Sequence, residues 1–449
     1  MNVIIVGAGD VGMIAAETIC DIHDVLIIEL DAAIAETVKS RLNVSVLNED
    51  GTNPRNLEYA ISTHEADIII STLRNDASNL FVCMYSKLVR PDIRTIASIG
   101  NPDYMIGTSE SSHSGVDVLI SPDIITANKM YRLAVLENAI DYEYVQSLGL
   151  AIAIFAVEKW HPIVGKVVMD IPTEGDFTIF GIYRDGILNV DVDTLEIYAG
   201  DRICVIGNDD GMAKFNTAIG VETVSREFTI LGGSVLGKNL AQLLLKDTLR
   251  RYVKIIEKDP LKCIALSKEL EGVNIINADF TEPEVQAQES IFKCDCTIST
   301  SRMDDTNLLM CMSAQKNNAS KIISRYFKKE YEDIFRFTGL ESIVGYHKVV
   351  SNEIIKCTVS DEMAIVRLNK ENEVFIEHRI GKGSKLKDEY LGDLRVPAGV
   401  RIVAVFRDDD IIYPRMDTRF VEGDRVIVFT DMLKKGELSK FFGKNIASE

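Results

Sequence analysis

Segments about 225 positions apart repeat each other along most of this chain, and no other feature limits its fold so strongly. "VIIVGAGDVG" at 3–12 returns as "FTILGGSVLG" at 228–237, and "VLIIELD" at 25–31 returns as "VKIIEKD" at 253–259. "VSVLNEDGTNP" is matched by "VNIINADFTEP", aligning Asp50 with Asp279. "ADIIISTLRNDASN" is matched by "CDCTISTSRMDDTN", aligning Thr72 with Thr300, Asp76 with Asp304 and Asn79 with Asn307. Further on, "TLEIYAGDRICVIGND" pairs with "TRFVEGDRVIVFTD" around Gly200-Asp201 and Gly423-Asp424. These later segments carry alternating apolar residues after a G-D turn, a strand pattern. "FTIFGIYRDGILNV" and "VPAGVRIVAVFRDDDIIYP" read as hairpins. The organisation is therefore A-B-A′-B′, within the two to four domains that 449 residues allow.

The opening segment shows what the A units are. Val3–Val6 is the short apolar run of a buried parallel strand. Gly7, Gly9 and Gly12 follow in G-x-G-x-x-G spacing, and Met13–Ile22 reads as the helix. Gly7 permits a tight turn, Gly9 lets a pyrophosphate approach the backbone, and Gly12 lets helix and strand pack closely. Free N–H groups at the helix start hold phosphates. Glu29, seventeen residues beyond Gly12, ends the next strand, where an acid accepts ribose hydroxyls. In the second copy Gly232, Gly233 and Gly237 remain, but Ser234 replaces the middle glycine. A side chain there would crowd a pyrophosphate unless the turn moves.

The fold expected is α/β: two Rossmann-like, doubly wound parallel-sheet domains, each followed by a small β-rich α+β domain. The expected boundaries are 1–141, 142–225, 226–357 and 358–449. "SPDIITANKMYRLAVLENAI" reads as a helix between A and B, with its counterpart roughly at Lys348–Cys357. It could fix one domain against the next, cross to a neighbouring subunit, or serve only as an amphipathic linker.

Charge and composition narrow the function. Forty-nine basic against 68 acidic residues give a net charge of −19, which argues against nucleic acid and against docking on an anionic leaflet. No apolar run reaches the roughly 18 residues of a membrane span, and no signal peptide is evident. Eight cysteines are scattered without a C-x-x-C pair and read as buried reduced thiols, suiting the cytoplasm. No metal site is expected. His161 in "EKWHPIVGK" is the best lone candidate for proton transfer, but a loop residue is the simpler reading. Asp141 and Glu143 in "DYEYVQ" fit an exposed helix end. With no poised His, Lys or Tyr constellation after the nucleotide domain, no reaction and no catalytic residue are indicated.

Taken together, "VGAGDVG", "LIIELD", "EDGTNP", "STLRNDASN" and "NPDY" in the first half, with "GGSVLG", "IIEKD", "ADFTEP", "SRMDDTN" and "VEGDRVIVF" in the second, resemble the TrkA family over essentially the full length. Members are cytoplasmic, peripheral nucleotide-binding subunits of bacterial Trk potassium uptake, built from two RCK (regulator of potassium conductance) units. The resemblance implies NAD(H) or ATP/ADP as a regulatory ligand. It also implies a TrkH-like integral membrane partner that translocates potassium, and a homo-oligomer, expected as a tetramer. By motif, Gly7, Ala8, Gly9, Asp10, Val11 and Gly12 would line the first pyrophosphate, Glu29 the ribose, and Thr72-Leu73 the floor. In the second site Gly232, Gly233, Ser234, Val235 and Leu236, with Glu257, Thr300 and Ser301, would play these parts, and Asp50 and Asp279 join the two sets. Members typically carry an arginine facing the phosphates on the strand before P-x-Y. Ser98 stands there in the first half, Arg325 in the second. The alternatives to a nucleotide-sensing switch are an NAD-dependent oxidoreductase with duplicated domains and a metabolic sensor unconnected to membranes.

Overall fold

The structure, a computed structural model, describes residues 1–105, 115–145, 148–173, 175–221, 225–246, 249–358, 366–367, 373–408, 410–431 and 441–442. Its first unit alternates β1 (Asn2–Val6), α1 (Asp10–Ile19), β2 (Asp24–Ile28), α2 (Ala32–Arg41), β3 (Ser45–Leu47), α3 (Pro54–His64), β4 (Ile68–Ser71), α4 (Asp76–Val89), β5 (Arg94–Ser98) and β6 (Val118–Ile120), then α5 (Pro122–Val135). The strands form a parallel sheet in the order β3-β2-β1-β4-β5-β6, so the order reverses between β1 and β4. Next come β7 (Ala139–Val145), β8 (Leu150–Ala156), β9 (Phe177–Arg184), β10 (Ile187–Asn189), β11 (Arg202–Gly207) and α6 (Asp209–Ala218). These strands make an antiparallel sheet ordered β10-β9-β11-β8-β7.

The second half repeats the plan: β12 (Glu227–Leu231), α7 (Val235–Lys246), β13 (Tyr252–Glu257), α8 (Pro260–Glu269), β14 (Val273–Asn277), α9 (Pro283–Gln288), β15 (Cys296–Ser299), α10 (Asp304–Lys316), β16 (Ile322–Tyr326), α11 (Tyr331–Phe337), β17 (Ile343–Gly345) and α12 (Tyr346–Thr358). The parallel order β14-β13-β12-β15-β16-β17 matches the first sheet. β18 (Val366–Arg367), β19 (Glu373–Arg379), β20 (Arg401–Arg407), β21 (Asp410–Ile412) and β22 (Arg425–Asp431) close the second antiparallel sheet. The duplication extends to capping. Asp31 and Asp259 each accept two backbone N–H bonds at the start of α2 and α8, as N-caps do.

Three details differ from the sequence expectation. α1 starts at Asp10 and ends at Ile19, because Gly9 is already extended and acts as its N-cap. α5 stops at Val135, and the small sheet begins at Ala139, ahead of the expected boundary at 142. Asp141 and Glu143 therefore lie on strand β7 rather than at a helix end, one residue apart on one face. There Lys129 pairs with both, at 2.8 and 3.2 Å, and Lys356 reaches Glu143 at 3.5 Å.

The junction helices exchange partners. α5, which ends the first α/β unit, packs its buried Met130, Leu133 and Ala134 against Leu236, Leu240 and Leu244 of α7 in the second. In return α12 lays Tyr346, Val350 and Ile354 against Ala15, Ala16 and Ile19 of α1. Thr18 donates to Ser351 across that contact at 2.9 Å. Lys321, half-buried just before β16, points its ammonium at the carbonyls of Leu136, Glu137 and Ala139 at 2.8–3.0 Å, capping the end of α5. The two small sheets also join face to face through Phe180, Phe375 and Phe429, with ring centroids 5.1–5.3 Å apart. The helix is thus not a bare linker: it fixes one half of the chain against the other.

Candidate nucleotide clefts at the two fingerprint turns

Each parallel sheet reverses strand order beside its glycine turn, at β1/β4 and at β12/β15. Open α/β sheets bind ligands at this point, outside the carboxyl ends of the strands. Gly7 and Gly232 both hold positive φ, 93° and 108°, which L side chains rarely adopt. A Cβ on Gly12 would lie 2.0 Å from the Gly7 carbonyl oxygen, and one on Gly237 would lie 2.2 Å from that of Gly232. Both positions demand glycine for packing alone. Gly9 differs: a Cβ there meets nothing within 4 Å, so the space above the middle of the turn is open for a ligand.

The two acids are held by their own turns. Glu29 accepts from the Ala8 N–H at 2.6 Å and the Asp31 N–H at 2.8 Å. Glu257 accepts from Gly233 at 2.7 Å and Asp259 at 2.9 Å, and is almost wholly buried. Glu29 remains half-exposed, so its free lone pairs stay within reach of a ribose. Thr72 and Thr300 serve the turn more than a ligand. Their buried hydroxyls donate to the carbonyls of Gly7 at 2.8 Å and Gly232 at 3.0 Å. Asp50 and Asp279 are turn-formers too, each accepting from the N–H and hydroxyl of the threonine two residues on. Those bonds hold the Asp279 carboxyl below its ordinary pKa.

The second turn departs from the first in two ways. Ser234 lies with its Oγ 3.5 Å from the Gly237 N–H, turned toward the start of α7. The Leu236 side chain is fully buried among the α5–α7 contacts, so it is core rather than cleft. Val11 is half-buried at the same place in the first turn; Asp10 is exposed there and Val235 partly so.

Asn79 and Asn307 were legible only as matched letters, yet they tie the floor of each cleft together. Asn79 accepts from Ser71 and from the Leu73 N–H, and donates to the carbonyls of Leu73 and Ser98, all within 2.7–2.9 Å. Asn307 bonds Ser299, Ser301 and Arg325 in the same manner. Asp76 and Asp304 each accept two N–H bonds from the loop after the fifth strand, at Gly100 and Asn101 and at Phe327 and Lys328.

The position before that loop is asymmetric. Ser98 is half-buried and uncharged. Arg325 is 1% exposed, and its Nε donates to the Ser301 carbonyl at 3.0 Å. Its Nη1 meets Asp123 of α5, from the other half, at 3.3 Å. Its Nη2 has no hydrogen-bond partner. Burial lowers the Arg325 pKa, and Asp123 opposes that shift. His161 sits in its loop as expected, accepting the Glu158 N–H at 2.9 Å. Among the described residues no group of His, Cys, Asp and Glu could hold a metal.

The TrkA-N domain family matches residues 3–122 and 228–346, and the TrkA-C domain family matches 152–220 and 375–432. The chain belongs to the TrkA family. A TrkA homolog of Trk potassium uptake from Methanosarcina mazei is 28% identical over 438 residues, covering 96% of this chain and 97% of that protein. In fold, the chain resembles the GsuK RCK domain, with a TM-score of 0.65 at 18% identity and coverage of 98% and 94%. It also resembles the GsuK channel solved bound to NAD, with a TM-score of 0.63, 18% identity and coverage of 100% and 79%. The TrkA relatives are named as potassium uptake proteins and the structural neighbours as channel domains, not as enzymes. The matched TrkA-N segments end where α5 and α12 begin, so the exchanged helices mark the end of each α/β unit.

Proposed function

We propose that this chain is the nucleotide-sensing subunit of a potassium transport system, binding NAD(H) or ATP/ADP in its clefts and gating a membrane potassium-translocating partner. The observation that carries it is the pair of fingerprint turns at the strand-order reversals, each with an acid held at its side and the first open above Gly9. The TrkA membership supplies the potassium system, and GsuK bound to NAD supports a nucleotide as the ligand. In the first cleft Gly7–Val11 receive the pyrophosphate and Glu29 the ribose. Ser98 leaves that cleft without a cation at the carboxyl end of β5, which favours ligands with fewer phosphates. No helix among the described residues is long and apolar enough to cross a membrane, so the route to the membrane in this reading is a protein surface.

A second duplicated feature supports assembly. Phe81, Met84 and Leu88 line one face of α4 and are 40%, 49% and 79% exposed. Leu309 and Met312 stand at the repeat-equivalent places on α10, 52% and 50% exposed. Equivalent apolar faces on both halves suit contact between copies of this chain, and a ring of such contacts is the homo-oligomer expected of tandem RCK units. Calorimetry against NAD, NADH, ATP and ADP tests the ligand. Potassium flux through the reconstituted pair with each nucleotide tests the gating. Flux insensitive to every nucleotide, with binding intact, would reduce the protein to a binding module. A Phe81→Glu, Met84→Glu variant that kept the native mass in light scattering would refute the assembly surface.

A further inference from the structure

Arg325 stands at the carboxyl edge of the second parallel sheet, close to its fingerprint turn. It lies near the carboxyl end of β16, and its Nε is bonded to Ser301, which follows the strand β15 that flanks the fingerprint turn. Its charge is almost wholly removed from water, yet Nη2 has no partner. An unpaired buried guanidinium N–H costs free energy, and a terminal phosphate is the ligand chemistry that satisfies it. Arg302 stands beside it, mostly exposed, with its Nη2 3.7 Å from Asp123. Asp123 therefore lies between two guanidiniums as their shared carboxylate, and the group as a whole keeps an excess of positive charge.

Asp123 does not belong to the second half. It is in the first turn of α5, the helix that the first half lends to the second. The Phe327–Tyr346 stack, 4.4 Å between centroids, closes the same junction from the start of α12. Counting by the repeat, the residue equivalent to Asp123 in α12 is His347, and Ser98 stands opposite Arg325, so the first cleft has no such pair.

We propose that Asp123 sets how many phosphates the second cleft accepts, by competing with a ligand's terminal phosphate for Arg325 and Arg302. The inference rests on the nucleotide-binding reading above. A ligand with one phosphate leaves the Asp123–Arg325 pair closed. A di- or triphosphate reaches Arg325, takes the free Nη2 and draws Nη1 away from Asp123. The first turn of α5 then loses its electrostatic tie to β16, so the phosphate count in one half is passed to a helix of the other.

The test is calorimetry of the full chain with AMP, ADP and ATP, on the unmodified protein, Asp123→Asn, Arg325→Met and the double variant. Asparagine keeps a carbonyl oxygen for Nη1 but removes the competing charge. Asp123→Asn should tighten ADP and ATP binding about tenfold, a typical coupling factor, and leave AMP unchanged. Arg325→Met should weaken ADP and ATP, and in that background the Asp123→Asn gain should vanish. A residue that only props the helix would move all three ligands alike. Asp123→Asn binding ADP no tighter than the unmodified protein, or keeping its gain without Arg325, would overturn the competition while leaving nucleotide binding in place. If the unmodified protein bound none of the three, nor NAD, the nucleotide reading itself would fall.

Discussion

Replacing Leu133 by alanine tests the helix exchange directly. Leu133 belongs by sequence to the first half, but it is fully buried against Leu236, Leu240 and Leu244 of the second. The change removes three carbons from a closed core. At about 0.8 kcal/mol per buried carbon, the lost transfer energy is about 2.4 kcal/mol. The cavity left behind brings the total to about 3–4 kcal/mol, within the usual span for Leu→Ala. A loss of about 3 kcal/mol in local stability raises the opening constant of the packed amides by more than about a hundredfold. Hydrogen exchange read by mass spectrometry should therefore show faster exchange in α7 and β16 of the second α/β unit. Peptides from β1 to β5 should stay protected. The converse variant, Val350→Ala in α12, should expose α1 in the first unit instead, since Val350 packs there. Faster exchange for Leu133→Ala confined to residues 2–98 would refute the exchange.

Three further outcomes follow from single sites. Burial pushes the Glu332 carboxyl up, but Lys348 at 2.6 Å, the Tyr326 hydroxyl at 2.7 Å and Arg336 outweigh it and hold its pKa at about 2. A depressed acid stabilises the fold above its unfolded pKa and loses that contribution as pH falls through the folded one; Glu332→Gln should remove about 3 kcal/mol at pH 7 and little at pH 2, read by urea midpoints at both. In each small domain an arginine holds a buried aspartate by two bonds, Arg184 with Asp201 at 2.7–2.8 Å and Arg407 with Asp424 at 2.9 Å; Arg184→Ala strands a nearly inaccessible carboxylate and should cost about 3 kcal/mol in denaturant melts. Gly12→Ala should disrupt the first α/β unit, whereas Gly9→Leu should leave its melting unchanged and abolish first-cleft binding; a Gly9→Leu protein that bound nucleotide normally would make the first fingerprint purely structural.

Local and duplicated features were readable in the letters; contacts between the halves were not. The glycine turns, the acids at Glu29 and Glu257, the hairpins and the G-D turns depend on residues close in sequence, so their spacing carries them. The doubly wound parallel sheets follow from the βα alternation together with the glycine fingerprint after the first strand. The end of α5 lies earlier than the letters suggest because "LENAI" continues an apolar pattern, while the carbonyls at its end are held by Lys321, just ahead of a distant strand. Thr72, Thr300 and Leu236 were assigned to the ligand by motif. A motif names positions, but the direction of each side chain depends on what the folded core leaves open. Asp123 had no signal at all, since its repeat partner is a histidine and its contact lies in the other half.

That pattern bears on how two clefts in one chain can act together. If each half had kept its own junction helix, a ligand in one cleft would alter only its own domain. Because α5 and α12 are exchanged, each α/β unit is built partly from the other half's chain, and the small sheets fasten the halves a second time. A ligand that changes how α5 sits on α7 therefore moves the end of the first sheet, from which α5 emerges. If both clefts bind as proposed, their coupling is reciprocal: whatever the first cleft does to α5 changes the affinity of the second. In the proposed reading the clefts are unequal at the two positions assigned to phosphate, Ser98 against Arg325 and Gly9 against Ser234. Unequal sites on a shared lever respond to the ratio of two ligands, not only to the amount of one, because each ligand biases the same equilibrium from its own side. Titrating one nucleotide at fixed levels of another reads this out: independent sites would give superimposable curves, and a shared lever would shift them.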